Sequence, residues 1–234
     1  LLGDLHSWPG SLQILICDGG SDDATAVAAR LAGATVLSCP QPGRGQQLCF
    51  GMRHACHAWL LVLHADSRLS PQWTQAINKA LREPRAEHQA WAFDFRVDER
   101  RPMLWMLEQL VALRSRWWQR PYGDQGLLIH RHLYERVGGY RPLALMEDLD
   151  LVERLNRITR IRSLHCALIT SGRRWHRKGV LQQAWINARL RQRWRRGTPP
   201  AQLMEIYLKD AAKCLYTWKN RKGFVESPAL LEGS

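Results

Sequence analysis

The sequence predicts an α/β domain, and three observations carry that expectation. Apolar runs stop at acidic turns at Asp18-Gly19-Gly20-Ser21, at His64-Ala65-Asp66 and at Glu147-Asp148. Carboxylates at the ends of sheet strands, beside the mouth of a following helix, mark the usual ligand crevice of an α/β sheet. Periods of two and of 3.6 also alternate along the chain, as strands and helices do in turn.

Leu12 to Cys17 is an apolar, partly β-branched run that ends at the first acidic turn. Ala24, Val27, Ala28 and Leu31 then recur at helical spacing, with Gly33 as a stop before a Thr35 to Ser38 strand, which makes a βαβ unit. Pro42-Gly43-Arg44-Gly45 opens a helix expected to reach about Ala58, followed by a buried-type strand from Trp59 to Leu63. Ser70-Pro71 caps and starts the next helix. Trp91, Phe93, Phe95 and Val97 alternate with Ala92, Asp94, Arg96 and Asp98, a strand with unlike faces. Helix follows from Pro102 to about Trp118, then a Leu127 to His130 strand behind Gly123-Asp124-Gln125-Gly126. Gly138-Gly139 breaks the chain before a helix carrying Leu151, Leu155 and Ile158, a strand from Ile161 to Ile169, and a basic helix from about Gly179 to Arg196.

With 234 residues and 45% hydrophobic content, one domain with a full core is expected, with a helical appendage. The apolar runs are too short to span a bilayer. Six cysteines without metal or redox spacing, and no signal peptide, suggest buried thiols in a reducing, cytoplasmic compartment. The formal charge is +13, of which nine Lys or Arg lie between Arg173 and Gly197 without one Asp or Glu. That local cationic surface points to phosphate-bearing partners: a nucleotide, a lipid headgroup or a nucleic acid. Leu181, Ala184, Trp185 and Ala188 fall on one side of the basic helix, which suits either packing on its own domain or an anionic membrane surface.

Five motifs in order, Cys17-Asp18-Gly19-Gly20-Ser21-Asp22-Asp23, Leu63-His64-Ala65-Asp66-Ser67, Tyr122-Gly123-Asp124-Gln125-Gly126, Met146-Glu147-Asp148 and Arg173-Arg174-Trp175, resemble the family 2 glycosyltransferases with the GT-A fold. More narrowly, His-Ala-Asp in place of Asp-x-Asp is similar to the radical-SAM/selenodomain-associated transferase 2 subgroup. The resemblance spans roughly residues 1 to 205. It implies a Rossmann-like GT-A domain with a mixed central sheet over 1–175, its first strand absent from this chain, and a helical extension over 176–234.

The implied activity is metal-dependent, inverting transfer of a sugar from a nucleotide diphosphate donor, UDP-sugar favoured, to a saccharide or lipid-linked acceptor. The resemblance assigns Asp148 as general base with Glu147 assisting, and Asp66 as ligand of Mg²⁺ or Mn²⁺. It places Asp18, Gly19, Gly20, Arg44, Ala65, Arg173 and Arg174 on the donor, Gly123, Asp124 and Gln125 on the acceptor side, and Trp175 against a sugar ring. It implies a cytoplasmic protein, peripheral on the inner face of the membrane if the basic helix touches lipid.

Plainer readings stand beside these. Asp66 is also read as a loop or cap carboxylate, and Asp18 as a turn residue. Arg44 suits an exposed helix start, and Glu147, Asp148, Asp150 and Glu153 acidify a helix N-terminus as the helix dipole favours. The rival functional classes are a glycosyltransferase-like binding protein without activity and a nucleic-acid-binding module. The second has charge alone to support it.

Overall fold

The structure, a computed structural model, describes residues 1–172 and 180–221. The chain divides into two compact units, Leu1–Gly172 and Arg173–Ser234. After a short first helix, α1 (Leu2–Leu5), the first unit alternates strand and helix: β1 (Leu15–Asp18), α2 (Thr25–Leu31), β2 (Thr35–Ser38), α3 (Arg44–His54) and β3 (Trp59–Val62). It continues through β4 (Ser67–Leu69), α4 (Trp73–Leu81), β5 (Ala90–Val97), α5 (Pro102–Trp117) and β6 (Leu127–His130). Helices α6 (Arg131–Arg136) and α7 (Glu147–Leu155) and strand β7 (Ile161–Thr170) complete it.

β1 and β2 pair in parallel as one small sheet, and five strands form the other in the order β3-β6-β5-β7-β4. The larger sheet is mixed: β5 runs parallel to β7 and antiparallel to β6, while β3 and β4 are antiparallel to their neighbours. Apolar side chains cover both of its faces. Trp91, Phe93, Leu128 and Leu168 pack on one side with Trp73 and Ile77 of α4. Ala90, Ala92 and Ile129 pack on the other with Leu133 of α6 and Leu151 and Leu155 of α7.

The unlike faces expected of β5 therefore hold only for its second half. Ala90 and Ala92 are buried because α6 and α7 need small residues beneath them, whereas Asp94 and Arg96 are less covered. The third helix stops at His54, four residues before the expected end, where Ala55 turns to an extended conformation.

The second unit contains α8 (Val180–Arg195) and α9 (Pro200–Arg221), with Gly197 in a left-handed turn (φ 85°) between them. Among its described residues the buried apolar ones are Ile186, Leu190 and Leu203. Of the side that carries Trp185 and Ala188, both of these residues are exposed rather than packed. Trp185 is 61% exposed, with the guanidinium of Arg189 stacked 5.3 Å from its ring centroid.

Candidate active site

The N-terminal turn of α3 gathers the motifs. Gly43 enters it at φ 132°, where only glycine is at ease, and Gly45 lies so near the backbone of Arg141 to Leu143 that a Cβ would stand 2.6 Å from the Leu143 nitrogen. That close approach aims Arg44 at the start of α7. Its Nε donates to the Glu147 Oε1 at 2.7 Å, and its Nη2 pairs with the Asp148 Oδ2 and contacts the His64 Nε2. His64 itself stands 3.9 Å from the same Asp148 oxygen.

One turn further along α3, the Gln47 Nε2 donates to the Cys17 carbonyl at 2.8 Å, and a Cβ on Gly19 would stand 2.9 Å from that nitrogen. One helical turn thus joins the ends of β1 and β3 to the Glu147-Asp148 pair, although these segments are far apart in sequence.

The carboxylate pair sits where α7 begins, behind Met146 at φ 71°, an unfavourable conformation for a side chain with a Cβ. Glu147 is 3% exposed. Burial first, and then the neighbouring Asp148, raise its pKa to about 7, against the pull of Arg44. Burial likewise raises Asp148 above the ordinary carboxylate value, with Arg44 opposing and Asp124 adding to the rise. The fully buried phenol of Tyr140 lies beside them, pushed well above its usual pKa by burial and by Asp148.

Asp150, by contrast, turns away. It pairs with Arg154 at 2.6 Å and Arg141 at 3.3 Å; all three acids lie in the first turn of α7, where the helix dipole favours them.

The Tyr122 to Gln125 loop lies directly on Asp148: a Cβ on Gly123 would come within 2.6 Å of the Asp148 Cγ. Asp124 has a buried Oδ1 with no partner among the described residues. Gln125 does not join the acceptor side. It is 2% exposed, accepts from the Ser115 Oγ at 2.8 Å and Arg114 Nη2 at 3.2 Å, and donates to the Phe93 carbonyl at 3.0 Å. It pins the loop to β5 and α5, which leaves no atom for substrate. A small cleft beside Asp148 is lined by His64, Tyr122, Gly123 and Tyr140.

Asp18 closes its own turn, accepting from the Ser21 hydroxyl at 2.5 Å and the Ser21 amide at 3.2 Å, and these bonds hold its pKa below the usual value. Gly20 continues that turn at φ 98°. Ala65 and Asp66 are exposed, one and two residues past His64. Arg173, Arg174 and Trp175 lie outside the described residues.

Arg44 was expected on the donor and is found on the two carboxylates; Tyr140 was not expected at all. The sequence signals for these are indirect: glycines at 45, 123 and 139 marking backbones pressed against a neighbour, the last within 2.7 Å of the Tyr134 ring if given a Cβ.

A mixed sheet flanked by helices, with a carboxylate pair at the start of α7 held by Arg44 beside His64, is the architecture of a glycosyltransferase of the GT-A fold, as the comparisons bear out. The profile described as glycosyl transferase family 2 matches residues 5–143, more than half of the chain, and the protein belongs to that family. The match ends just short of Glu147.

Among solved structures, the chain is similar to a mannosyltransferase from Pyrobaculum calidifontis in complex with GDP-Man and Mn²⁺. The identity is 18% and the TM-score 0.59, over 94% of this chain and 68% of the other. It also matches glucosyl-3-phosphoglycerate synthase from Mycobacterium tuberculosis in complex with Mn²⁺, UDP and glucosyl-3-phosphoglycerate, at 18% identity and TM-score 0.45, over 65% of this chain. The chain spans 58% of that enzyme's length.

Proposed function

We propose that the protein transfers a sugar, with inversion, from a nucleotide diphosphate donor to an acceptor hydroxyl, and that Asp148 takes the acceptor's proton. The observation that carries this reading is the Glu147-Asp148 pair, the first buried and the second half-buried, with raised proton affinity, set against the bare backbone of Gly123. Inversion needs the hydroxyl to attack opposite the departing diphosphate, and a carboxylate on that face accepts the proton as the new bond forms. A base whose pKa is lifted toward neutrality holds that proton better than an exposed aspartate does. Gly123 lets the loop backbone press against Asp148, where a side chain would not fit, and the Asp124 oxygen, without a partner among the described residues, is an acceptor for a sugar hydroxyl.

Asp18, with Gly19 and Gly20, takes the nucleoside of the donor, UDP-sugar by preference. Ala65 stands on the donor side of the His64 turn, and Arg173 and Arg174 supply charge for the diphosphate with Trp175 against a sugar ring. Arg44 belongs to the catalytic pair: it fixes the orientation of both carboxylates and limits how far their pKa values rise.

Among the described residues no three His, Cys, Asp or Glu side chains group as a metal site. A Mg²⁺ or Mn²⁺ ion would be held by the exposed carboxylate of Asp66 together with the donor's phosphates, the arrangement hard ions that keep water commonly adopt. Such an ion neutralises charge growing on the leaving diphosphate. The narrower subgroup, radical-SAM/selenodomain-associated transferase 2, is our reading of His64-Ala65-Asp66, and with it a cytoplasmic location and a saccharide or lipid-linked acceptor.

The test is Asp148→Asn, which removes basicity and little volume. Transfer should fall by about 10²–10⁴-fold while donor binding, read by thermal shift against a panel of nucleotide sugars with and without Mn²⁺, stays near wild type. Lost donor binding with transfer preserved would overturn the assignment.

A further inference from the structure

Helix α5 buries Leu104, Glu108 and Val111 and leaves a second apolar stripe uncovered. Met103, Met106, Leu110, Leu113 and Trp117 follow one another at steps of three and four residues, so they share one side of the helix. All are exposed, Leu110 at 57% and Trp117 at 78%, and Trp105 and Trp118 stand exposed near either end. A stripe of this size on a soluble surface marks an interaction site.

Its surroundings identify the partner. The only acid of the helix, Glu108, is buried against Arg96, so its exposed polar residues are Gln109 and Arg116, with Arg100 preceding it and Arg101 paired with Glu99 at 3.2 Å. Just past its C-terminal end opens a cavity of about 450 Å³ lined by Trp118, Arg120, Asn156, Arg157 and Arg160, with Glu153 as its one carboxylate. Arg120, Arg157 and Arg160 form no ion pair with a carboxylate among the described residues. Apolar and tryptophan side chains in a row, continuous with unpaired guanidinium groups, match the interface of a bilayer with anionic headgroups. A second copy of the chain would set these cations against their like, with no exposed acid on the helix to answer them. Among the described residues no helix is long and apolar enough to cross a membrane, so the contact is one of lying on the surface.

We propose that the exposed stripe of α5, with the arginine-lined cavity at its end, docks the protein on an anionic phospholipid surface. The helix end is tied to the Tyr122 to Gln125 loop, through Arg114 over the Tyr122 ring at 3.9 Å and onto Gln125, so docking would hold that loop of the first unit close to the lipid. Resting on the transferase reading, this favours an acceptor carried by a lipid; the docking itself needs neither donor nor acceptor.

The experiment is cosedimentation of the full chain with vesicles of phosphatidylcholine alone and of phosphatidylcholine mixed with phosphatidylglycerol. Binding is expected to the mixed vesicles and to fall as salt is raised. Leu110→Ser with Trp117→Ser should lower partitioning at least ~10-fold, and Arg157→Gln with Arg160→Gln should remove most of the preference for phosphatidylglycerol. All four positions are exposed, and far-ultraviolet circular dichroism checks that the variants fold. The proposal is overturned if the wild type ignores mixed vesicles, or if Arg189→Gln with Arg196→Gln abolishes binding while the α5 variant keeps it. It is equally overturned if light scattering finds a dimer that the α5 variant dissolves. A chain that docks yet transfers no sugar would refute the transferase reading alone.

Discussion

At the scale of single residues, Arg44 decides what Asp148 can do. Its guanidinium stabilises both ionised carboxylates, and without it burial would push them further toward the protonated form. Arg44→Met should therefore move the acid limb of the pH–rate profile upward by about 1 unit or more, since an opposite charge at hydrogen-bond distance has been removed. The profile of kcat/KM between acid and neutral pH measures this, and an unmoved limb would mean that Arg44 does not face the base during turnover. Little of this pairing was legible in the sequence. Arg44 and Asp148 lie 104 positions apart, and no period or motif links them. Glu147-Asp148 stood out because it follows a glycine break and opens an amphipathic helix. Gln125 was misread because its motif neighbours Gly123 and Asp124 do lie by Asp148, whereas its own side chain is drawn inward by three bonds to β5 and α5.

At the scale of elements, the site is as exact as the start of α3. Gly45 has no room for a Cβ against the backbone of Arg141 to Leu143, and backbone cannot rotate aside as a side chain does. Gly45→Ala should cost about 1–3 kcal/mol in urea unfolding and, by tilting Arg44 off Glu147 and Asp148, lower kcat more than it weakens donor binding. A variant as stable as wild type would show that the turn is loosely held. The sequence located most elements through their periodicity: β2 and β6 fall where expected, and β5 within one residue. It missed β4, whose Ser67-Arg68-Leu69 is too short to show alternation, and α6, which follows β6 with no intervening turn residue. The helix at Pro200–Arg221 falls within the helical extension expected over 176–234, for which no separate helix bounds were read. The exposed stripe on α5 was hidden. A helix apolar on two sides reads as helix, and the sequence does not say which side the sheet will cover.

At the scale of the whole molecule, burying a carboxylate pair for catalysis costs stability, and the cost has a sign that can be checked. The folded protein holds the Glu147 proton with a pKa of about 7 against a reference of 4.5, so between those values the native state binds more protons than the unfolded chain. Stability therefore falls as pH rises through that window and levels off above it. Asp148 is shifted in the same direction. For Glu147 alone the loss is at most about 3 kcal/mol, from ~1.4 kcal/mol per unit. Glu147→Gln has no proton to lose there. Urea unfolding at about pH 5 and about pH 8 should show the variant gaining on the wild type at the higher pH by up to that amount. A constant difference across the two conditions would mean that Glu147 ionises as an ordinary carboxylate, and the case for a base tuned toward neutrality would weaken with it. If the gain appears while transfer declines, the same substitution will have exchanged activity for stability. That exchange is expected where a fold keeps charge buried for its chemistry.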